Sequence, residues 1–338
     1  MKAVIATTQG SPDVLKMVDL PKPVPGAGSV LIKVVASSVN PIDIKVRKAR
    51  LPMSPAEFPA VLQTDFAGVI EAVGPDVTQF RVGDEVYGFA GGFKGPDGDI
   101  PGALAEYTVA DAALIALKPR TLDFRQAAAL PLVATTALLA LNDKVKCEAN
   151  TKVLIIGATG GVGHVAVQLA KAIGAHVFAA VRSDQRVALA HKLGAEVVIN
   201  LAETSPEAVV KEYTGGVGFD VIFDTVGGSS LDAAFQMIRP AGDVITVVGA
   251  ATHNLAPLYL RGANLHTVLV LIPIMFGQSR EAQGSNLDVI RRLVDDGQIM
   301  PLLDPQRFSL AQVADAHRKL EAGQAAGKLV IEVSEIDA

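Results

Sequence analysis

The chain has 338 residues and a mass of 35.1 kDa, a length that at roughly 100–200 residues per domain suggests about two domains. Half of its residues are hydrophobic, 19% are charged and the mean hydropathy is +0.36, which excludes a disordered chain. A net charge of −5 without a dense Lys/Arg stripe argues against nucleic acid as a partner, and the single cysteine, Cys147, excludes an intrachain disulfide or a zinc site of clustered thiolates.

Up to about residue 119 the sequence predicts short strands cut by Gly and Pro, at 30–35, 67–73, 84–89 and 105–109, which together read as a small all-β unit. Residues 21–28 form one Pro/Gly loop. Residues 91–102 form a second, with five glycines and two prolines, and read either as a mobile lid or as a long solvated connection. Near Asp123 the texture changes to an Ala-rich helix over 124–141. Strands at 153–156, 176–181, 196–200, 220–223 and 243–248 then alternate with helices at 163–173, 184–193 and 229–238, the pattern of a parallel sheet covered on both faces. The apolar run 268–276 is about nine residues, broken by Pro273, against roughly 20 needed to cross a bilayer. The opening residues 1–8 are too short an apolar run for a signal-peptide core, so the expectation is a soluble, cytoplasmic protein.

Directly after the strand ending at Ile156 come Gly157, Ala158, Thr159, Gly160, Gly161, Val162 and Gly163, followed by helical sequence. This strand–turn–helix context is what a dinucleotide-binding turn requires. Gly160 lets the backbone approach a pyrophosphate and Gly163 lets the helix pack on the strand. Gly161 and Val162 stand where a helix N-terminus offers free N–H groups to an anion. Ala158 occupies the place of the usual first glycine. About twenty residues on, where NAD-binding folds place an acid on the ribose, the chain has Val181 and then Arg182, Ser183 and Arg186. That cluster suits a 2′-phosphate and favours NADPH, while Asp184 among them argues the other way.

Further ordered segments carry a likeness along nearly the whole chain: Asn40-Pro41-Ile42-Asp43 with Arg47, the run 65–74, the run 82–88, Gly102-Ala103-Leu104-Ala105-Glu106-Tyr107, Asp224-Thr225-Val226-Gly227-Gly228, and Gly327-Lys328-Leu329-Val330. With the glycine turn, they resemble the medium-chain dehydrogenase/reductase superfamily, in its zinc-free quinone oxidoreductase branch of the zeta-crystallin type. The resemblance implies an α/β protein: a GroES-like β-barrel catalytic domain and a Rossmann domain with a doubly wound parallel sheet, with cofactor and substrate in the cleft between them. The expected parts are a catalytic domain over 1–123, the dinucleotide-binding domain over 124–265, and a dimer-edge strand with a return to the catalytic domain over 266–338. Zinc alcohol dehydrogenases of the superfamily place a Cys at the position of Asn40 and a His-Glu pair at Thr64-Asp65, so a metal-free protein is expected.

The same resemblance implies that Asn40 and Thr136 flank the nicotinamide and that Val226, Val248 and Gly249 line the cofactor cleft. It sets Phe276 and Gly277 at the carboxamide, Lys328 near the phosphates or ribose, and Asn200 near the adenine. It also implies a homodimer joined through residues 265–271, since pairing covers an otherwise exposed strand edge. Lys45 and Leu201 depart from the family, which often carries Tyr at both places.

A zinc ion would polarise an ordinary carbonyl, so its expected absence points to acceptors that are already activated: a quinone, an enone or an enal. Asn40, Lys45 and Arg47 are the candidate donors to the oxygen that gains charge, although Lys45 reads equally well as a solvated lysine. The six histidines show neither ligand spacing nor a nucleophile to serve, which leaves a hydrolase without support. A reductase of another activated alkene such as an enoyl thioester, and a non-catalytic NADPH-binding protein, remain as alternatives.

Overall fold

The ten-residue strand Ser29–Ser38 organises the first of two units. A computed structural model describes residues 1–335. The first unit comprises Met1–Thr135, Leu271–Gly297 and the residues from Pro301 on. Its main sheet runs in the order Ile115–Leu117, Glu85–Phe89, Asp65–Val73, Ser29–Ser38, Val330–Glu332, Phe308–Ser309, and Tyr107–Asp111 also pairs with Ser29–Ser38. Val30, Ile32 and Val34 point alternately inward onto Phe66, Ile70, Val86 and Ile115, and burying each such side chain contributes about 1.5–3 kcal/mol. The pairing of Val330 with Ser38 and of Glu332 with Ala36 carries the C-terminal segment back onto the strand that leads into Asn40.

Three expectations change in this unit. Residues 91–102 hold a short hairpin with an exposed tip: Phe93–Lys94 and Asp99–Ile100 pair antiparallel, Gly95 N–H donates to Gly98 O at 2.7 Å, and Phe93 is buried. The glycines there serve tight turns, which composition alone reads as looseness. The helix expected over 124–141 is broken into Phe124–Ala128 and Pro131–Leu138, because Pro131 has no N–H with which to continue a helix, and a π-helical turn Leu139–Lys144 follows. Residues 124–135 group with the first unit, so the boundary falls after Thr135 where the sequence places it after 123. Helices Pro41–Lys48, Arg280–Asp295 and Val313–Glu321 go beyond the elements read from the sequence.

The second unit comprises Thr136–Val270 and Gln298–Met300. Six strands form one all-parallel sheet in the order Val197–Asn200, His176–Val181, Lys152–Ile156, Phe219–Asp224, Ile238–Thr246, Asn264–Thr267. Numbered along the chain this is 3-2-1-4-5-6, the doubly wound order of the Rossmann fold. Leu154, Ile156, Phe178, Phe219, Ile222 and Phe235 fill one side, with Phe178 and Phe219 edge to face at 5.1 Å. The strand expected over 265–271 stops at Thr267; Val268, Val270 and Leu271 turn inward and a helix, Ile272–Phe276, begins. Pro273, lacking an N–H, suits the first turn of that helix and not a strand.

Candidate functional site

In a sheet of order 3-2-1-4-5-6 the crevice lies where the order reverses, at the C-terminal ends of strands Lys152–Ile156 and Phe219–Asp224. The glycine turn follows the first of these. Gly157 takes φ of +78°, and a Cβ there would meet Thr225 Oγ1 at 2.5 Å. The tight-turn duty that the sequence pattern assigns to the place of Ala158 is thus met one residue earlier, and the signal was the glycine directly after the strand. Ala158 is buried, and its N–H donates to Ala180 O at 3.3 Å. At Gly163 a Cβ would lie 2.1 Å from Gly157 O, so only glycine lets the helix Gly163–Ile173 start so close to the turn. Gly160 and Gly161 are exposed and Val162 is half-buried, with the amides of the first helical turn ahead of the ladder.

Asp224 ends the second switch-point strand and is wholly buried. It accepts from Val226 N–H at 3.2 Å, Gly227 N–H at 2.8 Å and the Ser230 hydroxyl at 2.6 Å, while Thr225 Oγ1 donates to Ile156 O at 2.8 Å. One carboxylate therefore shapes the loop that presents Val226, which is 44% exposed. Sequence reasoning quoted Asp224 within a motif but gave it no role; an acid at the end of an apolar strand was the available signal. Val248 packs where a Cβ on Gly227 would sit, at 2.6 Å, and Gly249 beside it is exposed.

After the strand His176–Val181 the chain turns at Arg182, Ser183 and a short 3-10 helix Asp184–Arg186. Arg182 is exposed, and Ser183 and Arg186 are half-buried. Asp184 is turned aside: its carboxylate accepts the Asn200 amide at 3.0 Å, and Asn200 Oδ1 accepts Ala202 N–H at 3.1 Å. Asn200 thereby ties the third strand to the turn after the second. Thr136 is buried on the helix Pro131–Leu138.

The first unit holds a second constellation, made of side chains. Asn40 is the N-cap of Pro41–Lys48, and the Asp43 carboxylate accepts the Asn40 backbone N–H at 2.7 Å, the reciprocal contact of a capping box. The Asn40 amide donates to Asp65 Oδ2 at 2.8 Å, and its Oδ1 accepts from Lys328 Nζ at 2.5 Å. Lys328 also donates to Val39 O at 3.1 Å and lies 3.7 Å from Asp65 Oδ2. Asp65 gains two more donors, the Ser38 hydroxyl at 3.0 Å and Leu132 N–H at 3.0 Å. Asn40, Asp43, Asp65 and Lys328 are all buried. Burial pushes both carboxyls up and the ammonium down. Asp43, pushed up to about 8, has a single donor and an Oδ1 with no partner, so it is the carboxyl that keeps its proton, while Asp65 stays charged against Lys328.

Against known proteins, residues 26–120 match the family described as alcohol dehydrogenase GroES-like domain, and 161–287 the family described as zinc-binding dehydrogenase. An NADPH-dependent alkenal/one oxidoreductase of Arabidopsis thaliana is 34% identical, with 98% of this chain and 79% of that protein covered. A quinone oxidoreductase of Pongo abelii is 30% identical, with 98% and 97% covered. A crystal structure of an alcohol dehydrogenase superfamily protein from Novosphingobium aromaticivorans superposes with a TM-score of 0.92 at 37% identity, covering 99% of this chain and all of that one. The chain belongs to the medium-chain dehydrogenase/reductase superfamily, in its quinone oxidoreductase branch.

This dehydrogenase/reductase takes a nicotinamide cofactor, and the turn at Gly157–Gly163 fits one: Gly160 and Gly161 expose backbone without side chains to a pyrophosphate, and the missing Cβ at Gly163 lets the helix start against Gly157. The zinc of the family description does not fit. Asn40 and Thr64 offer neutral oxygens, Asp65 is bound to Lys328 and three N–H or O–H donors, and no group of three His, Cys, Asp or Glu suited to a metal occurs among the described residues. Lys328, expected near phosphate or ribose, has its ammonium buried beside Asn40 and Asp65. Asn40, expected to face the acceptor, has its amide committed in the same cluster. Lys45 is exposed on the helix Pro41–Lys48, Phe276 is 57% exposed, and Gly277 caps the helix Ile272–Phe276 at φ of +66°. Arg47 turns away from Lys45: it is buried, contacts Glu321 and Gly10 O, and donates from Nε to His317 Nδ1 at 3.3 Å.

Proposed function

We propose that the protein reduces a quinone or an α,β-unsaturated carbonyl with NADPH and without a metal. The observation that carries this reading is the glycine turn at the switch point, with Arg182, Ser183 and Arg186 one strand away and Asp184 drawn off onto Asn200. Guanidinium groups and a hydroxyl suit a 2′-phosphate, and an acid poised for a ribose is missing from the end of the second strand. The names of the relatives, an NADPH-dependent alkenal/one oxidoreductase and a quinone oxidoreductase, support both halves of the reading.

When bound, NADPH would supply a hydride from its dihydronicotinamide C–H bond and leave as NADP+, and the acceptor's displaced electron pair would move onto an oxygen that solvent protonates. Gly160, Gly161 and Val162 would hold the pyrophosphate, and Thr136, Asn200, Val226, Val248, Gly249, Phe276 and Gly277 the remaining parts of the cofactor. Lys45 is the exposed cation suited to steady the oxygen, and Asn40 and Lys328, buried together, would act as positioning residues. The lone Cys147 suits a reducing compartment such as the cytoplasm. A second copy of the chain would pair with the edge strand Asn264–Thr267, beside which Tyr259, Leu260 and Leu265 are exposed.

The test is NADPH consumption against a panel of quinones, enals, enones and crotonyl thioesters, with NADH alongside. Reduction of quinones or enals with NADPH preferred is expected. Turnover of thioesters alone would move the protein to that class, and tight NADPH binding with no turnover would make it a binding protein.

A further inference from the structure

The hairpin formed by Phe93–Lys94 and Asp99–Ile100 walls a cavity of about 260 Å³ that lies wholly within the first unit. Its apolar surface comes mainly from Ala90, Ile100, Leu114, Pro273 and Ile274, and the rest of its wall from the hairpin tip, Asp111, Gly277 and the start of the helix Arg280–Asp295. Taking about 30 Å³ per liquid water, the volume equals roughly nine waters, enough for a ring or a short alkyl chain and below the roughly 300–1,000 Å³ that holds a whole drug-sized ligand. It suits one end of a small molecule. The walls are set in advance: Gly92 N–H donates to Ile100 O at 2.8 Å, Lys94 N–H to Met53 O at 3.0 Å, and the Asp99 carboxylate accepts from Ala56 N–H at 2.8 Å and Glu57 N–H at 3.2 Å.

Charge at this cavity is lopsided. Asp97, Asp99 and Asp111 line it against one cation, Arg280, and Arg280 Nη1 is matched to Asp111 Oδ2 at 2.8 Å. Asp99 is steadied by neutral amides only, and Asp97 has no ion pair among the described residues, so the field inside is negative. An apolar group entering loses little water and gains contact with Ile100, Leu114 and Ile274. An anion entering gives up its hydration and meets two uncompensated carboxylates.

We propose that this cavity receives the apolar end of the acceptor and that its carboxylates select against acceptors whose far end is anionic. The inference rests on the reductase reading above, in which Gly277, part of this wall, stands next to the reacting end of the cofactor. It goes further by assigning an acceptor class, uncharged at the end remote from the reacting carbonyl, and by naming Asp97 as a specificity residue.

Two enals that differ only at the far end decide it: cinnamaldehyde bearing a 4-methoxycarbonyl group and its 4-carboxy counterpart, followed by NADPH consumption at neutral pH. Wild type should reduce the ester with kcat/KM about tenfold or more above the acid, mainly through KM. Asp97→Asn, on the exposed tip of the hairpin, should shrink that ratio about threefold or more, chiefly through a lower KM for the acid. Equal use of the acid, or a ratio that Asp97→Asn does not move, overturns the proposal. If neither enal is reduced, and the quinones and enones of the panel above are not reduced either, the reductase reading fails; whenever neither enal is reduced, the cavity is judged by equilibrium dialysis with methyl cinnamate and cinnamate. Preferential binding of the ester that Ile100→Trp abolishes upholds the charge-selective cavity. Equal binding of the two, or ester binding that survives Ile100→Trp, overturns it.

Discussion

The glycine turn of the second unit and the buried cluster of the first are built by opposite means. The turn spans seven consecutive residues and works because side chains are absent: what it offers is backbone N–H and room. The cluster works because side chains are present, and it gathers them from segments as far apart as Asn40 and Lys328, 288 residues away in sequence. Local backbone sites stand or fall with a methyl group, whereas a long-range charge cluster stands or falls with its proton and charge balance.

The cluster should give the largest response. Lys328→Met removes the cation that faces Asp65 and leaves a buried carboxylate uncompensated, so a loss of about 3–5 kcal/mol in denaturant unfolding is expected. Adding Asp65→Asn should recover a good part of that loss. A double variant as unstable as the sum of its parts would show that the two do not act as a pair.

Gly163→Ala comes next. The added Cβ at 2.1 Å from Gly157 O must shift backbone, so NADPH affinity should fall about a hundredfold or more, read by calorimetry, together with a drop in Tm of several degrees. Affinity within a few-fold of wild type would mean that the turn is not the pyrophosphate site. Arg182→Ala should act more gently, removing about tenfold from the NADPH-over-NADH preference, as expected for one charge-assisted hydrogen bond.

A separate kind of response is a pH dependence with two limbs. Asp43, pushed up to about 8 by burial from an ordinary 3.8, keeps a proton in the folded state that the unfolded chain releases. Its contribution is complete below the ordinary value and is lost as pH rises through about 8. His317 behaves in reverse: burial and the nearby Arg47 push it down to about 3, so its contribution is present above 6.5 and is lost as pH falls toward 3. Thermal unfolding across pH should show both limbs, and Asp43→Asn should flatten only the alkaline one.

The contrast also explains what was legible in the sequence. The order of strands and helices from Lys152 to Thr246, the helix Pro206–Thr214 apart, could be read from residue types because elements there are followed within a few residues by their own turn signals, such as Gly157, Gly174 or Gly194. Asn40, Asp65 and Lys328 could be picked out singly but not joined, since nothing near Asn40 announces that Val330–Glu332 will pair beside it. Residues 91–102 misled for the reverse reason: their glycines signal turns, and the pairing that turns them into a hairpin involves only two residues on each side. Val268 belonged to a β-branched run, yet it is buried, so a test of the proposed dimer belongs at the exposed Leu265, where Leu265→Lys should lower the mass seen by light scattering.

The pairing of Val330–Glu332 with Ser29–Ser38 has a consequence for synthesis. Val39 and Lys328 are 289 residues apart, and at about 5–20 residues per second a ribosome needs on the order of 15–60 seconds to make that stretch. Throughout that interval the strand Ser29–Ser38 lacks the neighbour it will have in the finished sheet, and Asp65 lacks its lysine. The sheet of the second unit, Lys152–Thr267, pairs its six strands without either segment, and all six are synthesised first. The newly made protein thus passes through a stage in which one sheet has all its strands and the other still lacks a neighbour for its longest one, the period in which a chaperone has most to offer it.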